Sequence, residues 1–142
     1  MKKPKILIVD DEEIIRDSLA EWLTDSGYEA LTAPDGLHAL DIIKQQEIDV
    51  MISDLKMPGM DGIELLKKTK QINPDLPIII MTAYGTVNSA IEVIKSGAYD
   101  YLEKPFCPER GEILLKNILI HQTVLKENIA LKKELAKKSR VE

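Results

Sequence analysis

Five short apolar runs, separated by stretches of helical period, constrain this 142-residue chain more than any other feature. Ile6-Leu7-Ile8-Val9 is continuous and rich in β-branched residues, the pattern of a strand buried on both faces. Ile14, Ile15, Leu19, Trp22 and Leu23 then recur at helical spacing, and Gly27 stops that helix. Tyr28–Ala33 reads as a second, less apolar strand, suited to a sheet edge. Asp35-Gly36 turns the chain into a second helix that runs to about Gln46. Val50-Met51-Ile52 forms a third strand ending at Ser53-Asp54, and Pro58-Gly59 and Asp61-Gly62 mark a loop before a helix from Ile63 to Ile72. Ile78–Met81 is a fourth strand. Val87, Ala90, Ile91 and Ile94 line a fourth helix closed by Gly97, and Tyr99–Leu102 is a fifth strand. From Pro108 or Glu109 onward a long helix follows, with no Gly or Pro after Gly111. Strands and helices in alternation need crossover connections. They predict an α/β fold, doubly wound, with a five-stranded parallel sheet covered on both faces by five helices.

Open sheets of this kind form sites beyond the carboxyl ends of their strands. Those ends carry Asp10-Asp11, Asp54, Thr82-Ala83 and Lys104-Pro105. Taken singly, each has an ordinary structural explanation. Asp10-Asp11 could cap a helix, Asp54 could form a turn, Thr82 could cap the fourth helix, and Lys104 could sit on the surface. Jointly they place three carboxylates, a hydroxyl and an amine on one rim. Three carboxylates repel one another unless a cation joins them, and hard oxygen ligands suit Mg²⁺. Such a metal lets an anionic phosphoryl group approach a carboxylate nucleophile, with Lys104 adding positive charge and Thr82 a hydrogen bond.

Composition narrows the class. Hydrophobic residues at 44% and charged residues at 30% describe a folded globular chain. The single Cys107 excludes an internal disulfide framework and a Cys-rich zinc site, and has no role that the sequence supports. No apolar run approaches the roughly 18 residues of a membrane span. The basic start Met1-Lys2-Lys3-Pro4-Lys5 leads into too short an apolar stretch for a secretory signal, so a cytoplasmic location is expected. Residues 1–112 hold 12 Lys and Arg against 21 Asp and Glu, whereas residues 113–142 hold 7 against 3. An acidic body with a basic tail argues against nucleic-acid binding by the body.

Ile6-Leu7-Ile8-Val9-Asp10-Asp11-Glu12, Asp54-Leu55-Lys56-Met57-Pro58-Gly59-Met60-Asp61-Gly62, Met81-Thr82-Ala83-Tyr84 and Tyr101-Leu102-Glu103-Lys104-Pro105-Phe106 together resemble the receiver domain of two-component response regulators. The resemblance spans about residues 4–120 and implies a CheY-like fold with sheet order 2-1-3-4-5. Carried over, it implies Asp54 as phosphoacceptor and Asp11 as a direct Mg²⁺ ligand. Asp10 would assist through water, and the backbone carbonyl of Lys56 would complete the protein ligands. It further implies Thr82 and Tyr101 as switch residues, Lys104 paired with a phosphoryl oxygen, and a cis Lys104–Pro105 bond. The phosphoryl donor would be a phosphohistidine on a sensor kinase. The chain would be a phosphoacceptor that catalyses its own modification and reversal, not an enzyme with a turnover substrate. Lys56 and Tyr84 stand at positions that tune acyl-phosphate lifetime in this family.

Gly97-Ala98-Tyr99-Asp100-Tyr101 and Pro105-Phe106 before a long helix are similar to NtrC-like transcriptional activators. Their central ATPase module, with its Gly-rich phosphate loop, is not in this sequence, nor is a helix-turn-helix. Contact with DNA is therefore expected only through a domain absent from the chain. The expected division is a receiver over residues 1–120 and a linker helix over 121–142. Val124, Asn128, Leu131 and Leu135 are spaced as a coiled-coil seam, with Asn128 at an a position favouring a parallel dimer. Glu127 could pair with Lys132 of the second chain, and a homodimer through the fifth helix and linker is expected.

Three rival classes are weaker. An aspartyl phosphatase of the haloacid dehalogenase type needs a general acid two residues after its nucleophile, where this chain has Lys56. A flavodoxin-like carrier needs a Ser-, Thr- and Gly-rich phosphate loop, where this chain has Asp10-Asp11-Glu12-Glu13. A dimerisation module with a decayed site would not retain the full acidic set with Thr82 and Lys104.

Overall fold

The computed structural model describes residues 3–83 and 87–122. Within them the chain forms β1 (Lys5–Val9), α1 (Glu13–Asp25), β2 (Glu29–Ala33), α2 (Gly36–Gln45), β3 (Val50–Asp54), α3 (Gly62–Ile72), β4 (Ile78–Thr82), α4 (Val87–Lys95) and β5 (Asp100–Glu103). A fifth helix, α5, covers 108–122 within the described residues. The strands form one parallel sheet in the order β2-β1-β3-β4-β5. The less apolar second run does occupy an edge, with β5 at the other.

Side chains alternate across the sheet, which splits the core into two layers. Leu7, Val9, Met51, Ile78 and Ile80 face one side, where they meet Ala39, Leu40 and Ile43 of α2, Leu65 and Leu66 of α3, and Val93 of α4. Ile6, Ile8, Val50, Ile52, Ile79 and Met81 face the other, against Leu19 and Leu23 of α1 and Leu114, Leu115 and Ile118 of α5. Trp22 and Phe106 close this second layer edge to face, with ring centroids 4.8 Å apart. The amide of Gln122 donates to the Asp49 carbonyl at 3.1 Å and ties α5 to the foot of β3.

Helices α1 and α4 end alike. Gly27 and Gly97 take positive φ, and the following N–H groups of Tyr28 and Ala98 return to the carbonyls of Leu23 and Val93. Tyr28 is thus spent on closing α1, and β2 begins one residue later than its apolar run suggests. Not every residue at helical spacing reaches the core. Ile14 is 81% exposed on the outer side of α1, and Ile91, Ile94 and Ile113 also face solvent. No described helix is long and apolar enough to cross a membrane. The expected seam of Val124, Asn128, Leu131 and Leu135, and Tyr84, lie outside the described residues.

Candidate functional site

Parallel pairing brings the carboxyl ends of the central strands level. Asp54 pairs with Met81, Thr82 pairs with Glu103, and the ladder runs one step further through Leu55 N–H to Met81 and Lys104 N–H to Thr82, both at 2.8 Å. This levelling sets Asp10 after β1, Asp54 at the end of β3, Thr82 at the end of β4 and Lys104 after β5 around one rim. The Lys104 Nζ lies 3.2 Å from Asp10 Oδ2 and 3.2 Å from Asp54 Oδ1. Asp10 is fully buried, Asp54 and Thr82 nearly so, and Asp11 is exposed. One carboxylate oxygen from each of Asp10, Asp11 and Asp54 falls within a set no more than 4.8 Å across.

Asp54, Lys56, Thr82, Ala83 and Lys104, with Glu12 and Leu55, line a cleft of about 150 Å³. Pockets for metabolite-sized ligands run to roughly 300–1,000 Å³. The cleft suits a much smaller group, such as a phosphoryl. Tyr101 does not line it. It is half-buried, packs against the layer of α2, α3 and α4, and lines a neighbouring cavity with Pro105, Cys107 and Arg110. The Lys104–Pro105 bond is cis.

The capping explanation for Asp10-Asp11 does not hold. The N-cap of α1 is Glu12, and it makes no side-chain capping bond. Asp10 Oδ1 instead accepts the Glu12 N–H at 3.0 Å, which folds the loop around the carboxylate.

Asp54 is held above the usual carboxylate range. Burial is the main cause; Lys104 pulls it down and the charge of Asp10 pushes it up again. Lys104 is held above the usual lysine range because Asp54 and Asp10 outweigh the opposing effect of its own burial. A carboxyl raised on folding favours the folded state while it is protonated. That contribution is lost as pH rises through its folded value. Asp54→Asn is therefore expected to melt higher than wild type at pH 7. The gap should close as pH falls into the carboxylate range. Melting curves at pH 7 and pH 4 in chelator test this, and a lower-melting Asn variant at pH 7 would count against it.

Gly62, which the sequence marks only as a turn residue, packs against the backbone of Asp54 and Leu55. A Cβ on it would stand 2.5 Å from the Asp54 carbonyl oxygen and 2.9 Å from Leu55 Cα, and backbone atoms cannot step aside as a flexible side chain can. Its N–H donates to the Leu55 carbonyl at 2.8 Å, while Asp61 caps α3 by accepting the Glu64 N–H. The β3–α3 turn thus closes directly on the backbone of Asp54. Gly62→Ala should destabilise the fold by about 1–3 kcal/mol through overpacking. A urea midpoint equal to that of wild type would contradict this.

Residues 6–116 match the family model described as the response regulator receiver domain. Among curated proteins, the transcriptional regulatory protein ZraR of Klebsiella oxytoca is 41% identical over 116 residues, covering 82% of this chain and 26% of ZraR. Among solved structures, a response regulator receiver domain protein from Clostridium thermocellum aligns with TM-score 0.81 at 35% identity, covering 86% of this chain and 98% of that one. NtrX from Brucella abortus aligns with TM-score 0.82 at 35% identity, covering 88% of this chain and 29% of NtrX. The chain spans 24–30% of the length of the curated relatives it matches.

Proposed function

Since the chain belongs to the response regulator receiver family, we propose that Asp54 accepts a phosphoryl group from a phosphohistidine of a sensor histidine kinase. The observation that carries this reading is the convergence of Asp10, Asp11 and Asp54 with Lys104 on one rim beside a small cleft. An Asp54 carboxylate oxygen attacks phosphorus, the P–N bond breaks, and its electron pair stays with the imidazole. Lys104 loses its ion pair with Asp54 and turns to a phosphoryl oxygen instead. Thr82, at the mouth of the same cleft, donates its hydroxyl to another. Attack by water on phosphorus later returns the free carboxylate and inorganic phosphate, so the domain works as a timed switch.

The three oxygens are hard donors with room for water, and they fit Mg²⁺. Asp11, Asp54 and the Lys56 carbonyl would hold it. Asp10, whose two oxygens already engage Glu12 N–H and Lys104, would act through water. Bound there, Mg²⁺ offsets the charge that gathers on the transferred oxygens.

In this reading the switch runs from Thr82 to Tyr101, which lines the cavity next to the cleft. The output is an altered dimer through α5 and the linker of residues 121–142, a proposal that rests on the sequence seam alone. The short coverage of ZraR and NtrX supports a longer regulator. Its further module would be an ATPase that activates transcription and touches DNA, working in the cytoplasm. The test is incubation with a small phosphodonor and Mg²⁺ followed by intact mass measurement. One phosphoryl adduct that fails to form in chelator is expected. No adduct with Mg²⁺ present would sink the proposal.

A further inference from the structure

Asp10 is tethered through every polar group it owns. Its N–H donates to the Ala33 carbonyl at 3.2 Å, its Oδ1 accepts from Glu12 N–H at 3.0 Å, and its Oδ2 faces Lys104 Nζ at 3.2 Å. The remaining group is the main-chain carbonyl, which lies past the last residue of β1. The Arg16 guanidinium reaches back from α1 and donates Nη1–H to that carbonyl at 2.7 Å.

This bond is informative because of where Arg16 sits. It is in the first turn of α1, where the helix dipole favours anions and disfavours cations. A positive charge in that position is offset locally. Here it gains a short charge-assisted hydrogen bond, and the acidic residues Asp10, Asp11, Glu12 and Glu13 precede it in sequence. Arg16 is half-buried and belongs to neither the cleft lining nor the carboxylate set. Its contact with the loop that carries the site is the backbone carbonyl of Asp10.

We infer that Arg16 is a positioning residue for the acidic loop, fixing Asp10 and Asp11 relative to Asp54 and so setting the affinity of the site for a divalent cation. The inference rests on the Mg²⁺ reading above. Groups that orient metal-binding side chains commonly change metal affinity by about 10–100-fold when removed.

The inference makes a prediction opposite in sign to that of simple charge. If Arg16 acted only as a nearby cation, removing it would relieve repulsion and tighten Mg²⁺ binding. If it positions the loop, removing it weakens binding, because Asp10 and Asp11 must be ordered at the moment of binding. Isothermal titration of Mg²⁺ into the 142-residue chain, alongside thermal melts, separates the two. Arg16→Gln is expected to bind Mg²⁺ about 10-fold more weakly than wild type. Arg16→Met, which keeps much of the stem but has no donor, should do the same and serves if the Gln variant does not fold. Arg16→Lys, which restores one charged donor, is expected to fall between Gln and wild type. Unchanged or tighter binding in folded Gln or Met variants overturns the inference. So does a lowered melting point with unchanged Mg²⁺ affinity, the mark of a purely structural tether. Failure of the wild-type chain to bind Mg²⁺ would instead overturn the reading of the site itself.

Discussion

Asp54→Ala is expected to take up no phosphoryl group from a small phosphodonor in Mg²⁺, while the wild-type chain takes up one. The loss should be complete because neither neighbouring carboxylate is equipped to replace it. Asp10 is fully buried and both its oxygens are engaged, one by Glu12 N–H and the other by Lys104. Asp11 is exposed, and the ion pairs of Lys104 go to Asp10 and Asp54 instead. Asp54 alone of the three both lines the cleft and faces the ammonium. Intact mass is the readout, and a circular dichroism spectrum confirms that the variant is folded. An adduct of wild-type yield on the Ala variant would remove Asp54 from the acceptor role and make Asp11 the next residue to replace.

Lys104→Ala should cause the larger change in stability. Its side chain is 17% exposed, and its ammonium lies between two carboxylates that are nearly or wholly buried. Breaking a buried pair by removing one partner leaves an uncompensated charge, at a cost of about 3–5 kcal/mol. The lower end applies here, because the cleft is open to water. The loss should be present at neutral pH. A lysine raised on folding contributes throughout the range below its ordinary value and loses that contribution only in alkali. Mg²⁺ should return part of the stability, since a cation among the same oxygens supplies the missing positive charge. Urea unfolding with and without Mg²⁺ measures both effects. A midpoint that matches wild type in chelator would show that Lys104 is not holding the carboxylates together.

The polar rim was legible because it is carried by position along the strands. Four of the five apolar runs lead into a polar residue of the needed type, and parallel pairing brings those ends level. The two-layer core followed from the same runs, since alternate residues of β1, β3 and β4 reach opposite faces. Other features depend on contacts that no local pattern records. Ile14 fits the helical spacing of its neighbours, yet it lies on the solvent side, and only the packed arrangement of α1 on the sheet reveals this. The close approach of Gly62 to Asp54 depends on how the β3–α3 turn folds back. Tyr28 has strand chemistry, but its N–H is needed to close α1. Arg16 did leave a trace, a cation in the first turn of a helix. The partner that explains it is a backbone carbonyl, and carbonyls look the same at every position of a sequence.

The bond between Lys104 and Asp10 joins residues 94 positions apart. Nothing shorter than the nearly finished domain can make it. During synthesis Asp10, Asp11 and Asp54 leave the ribosome well before Lys104. Their counter-charge arrives only when β5 joins the open edge of β4. A chain cut before β5 would carry all three carboxylates without the lysine that faces two of them.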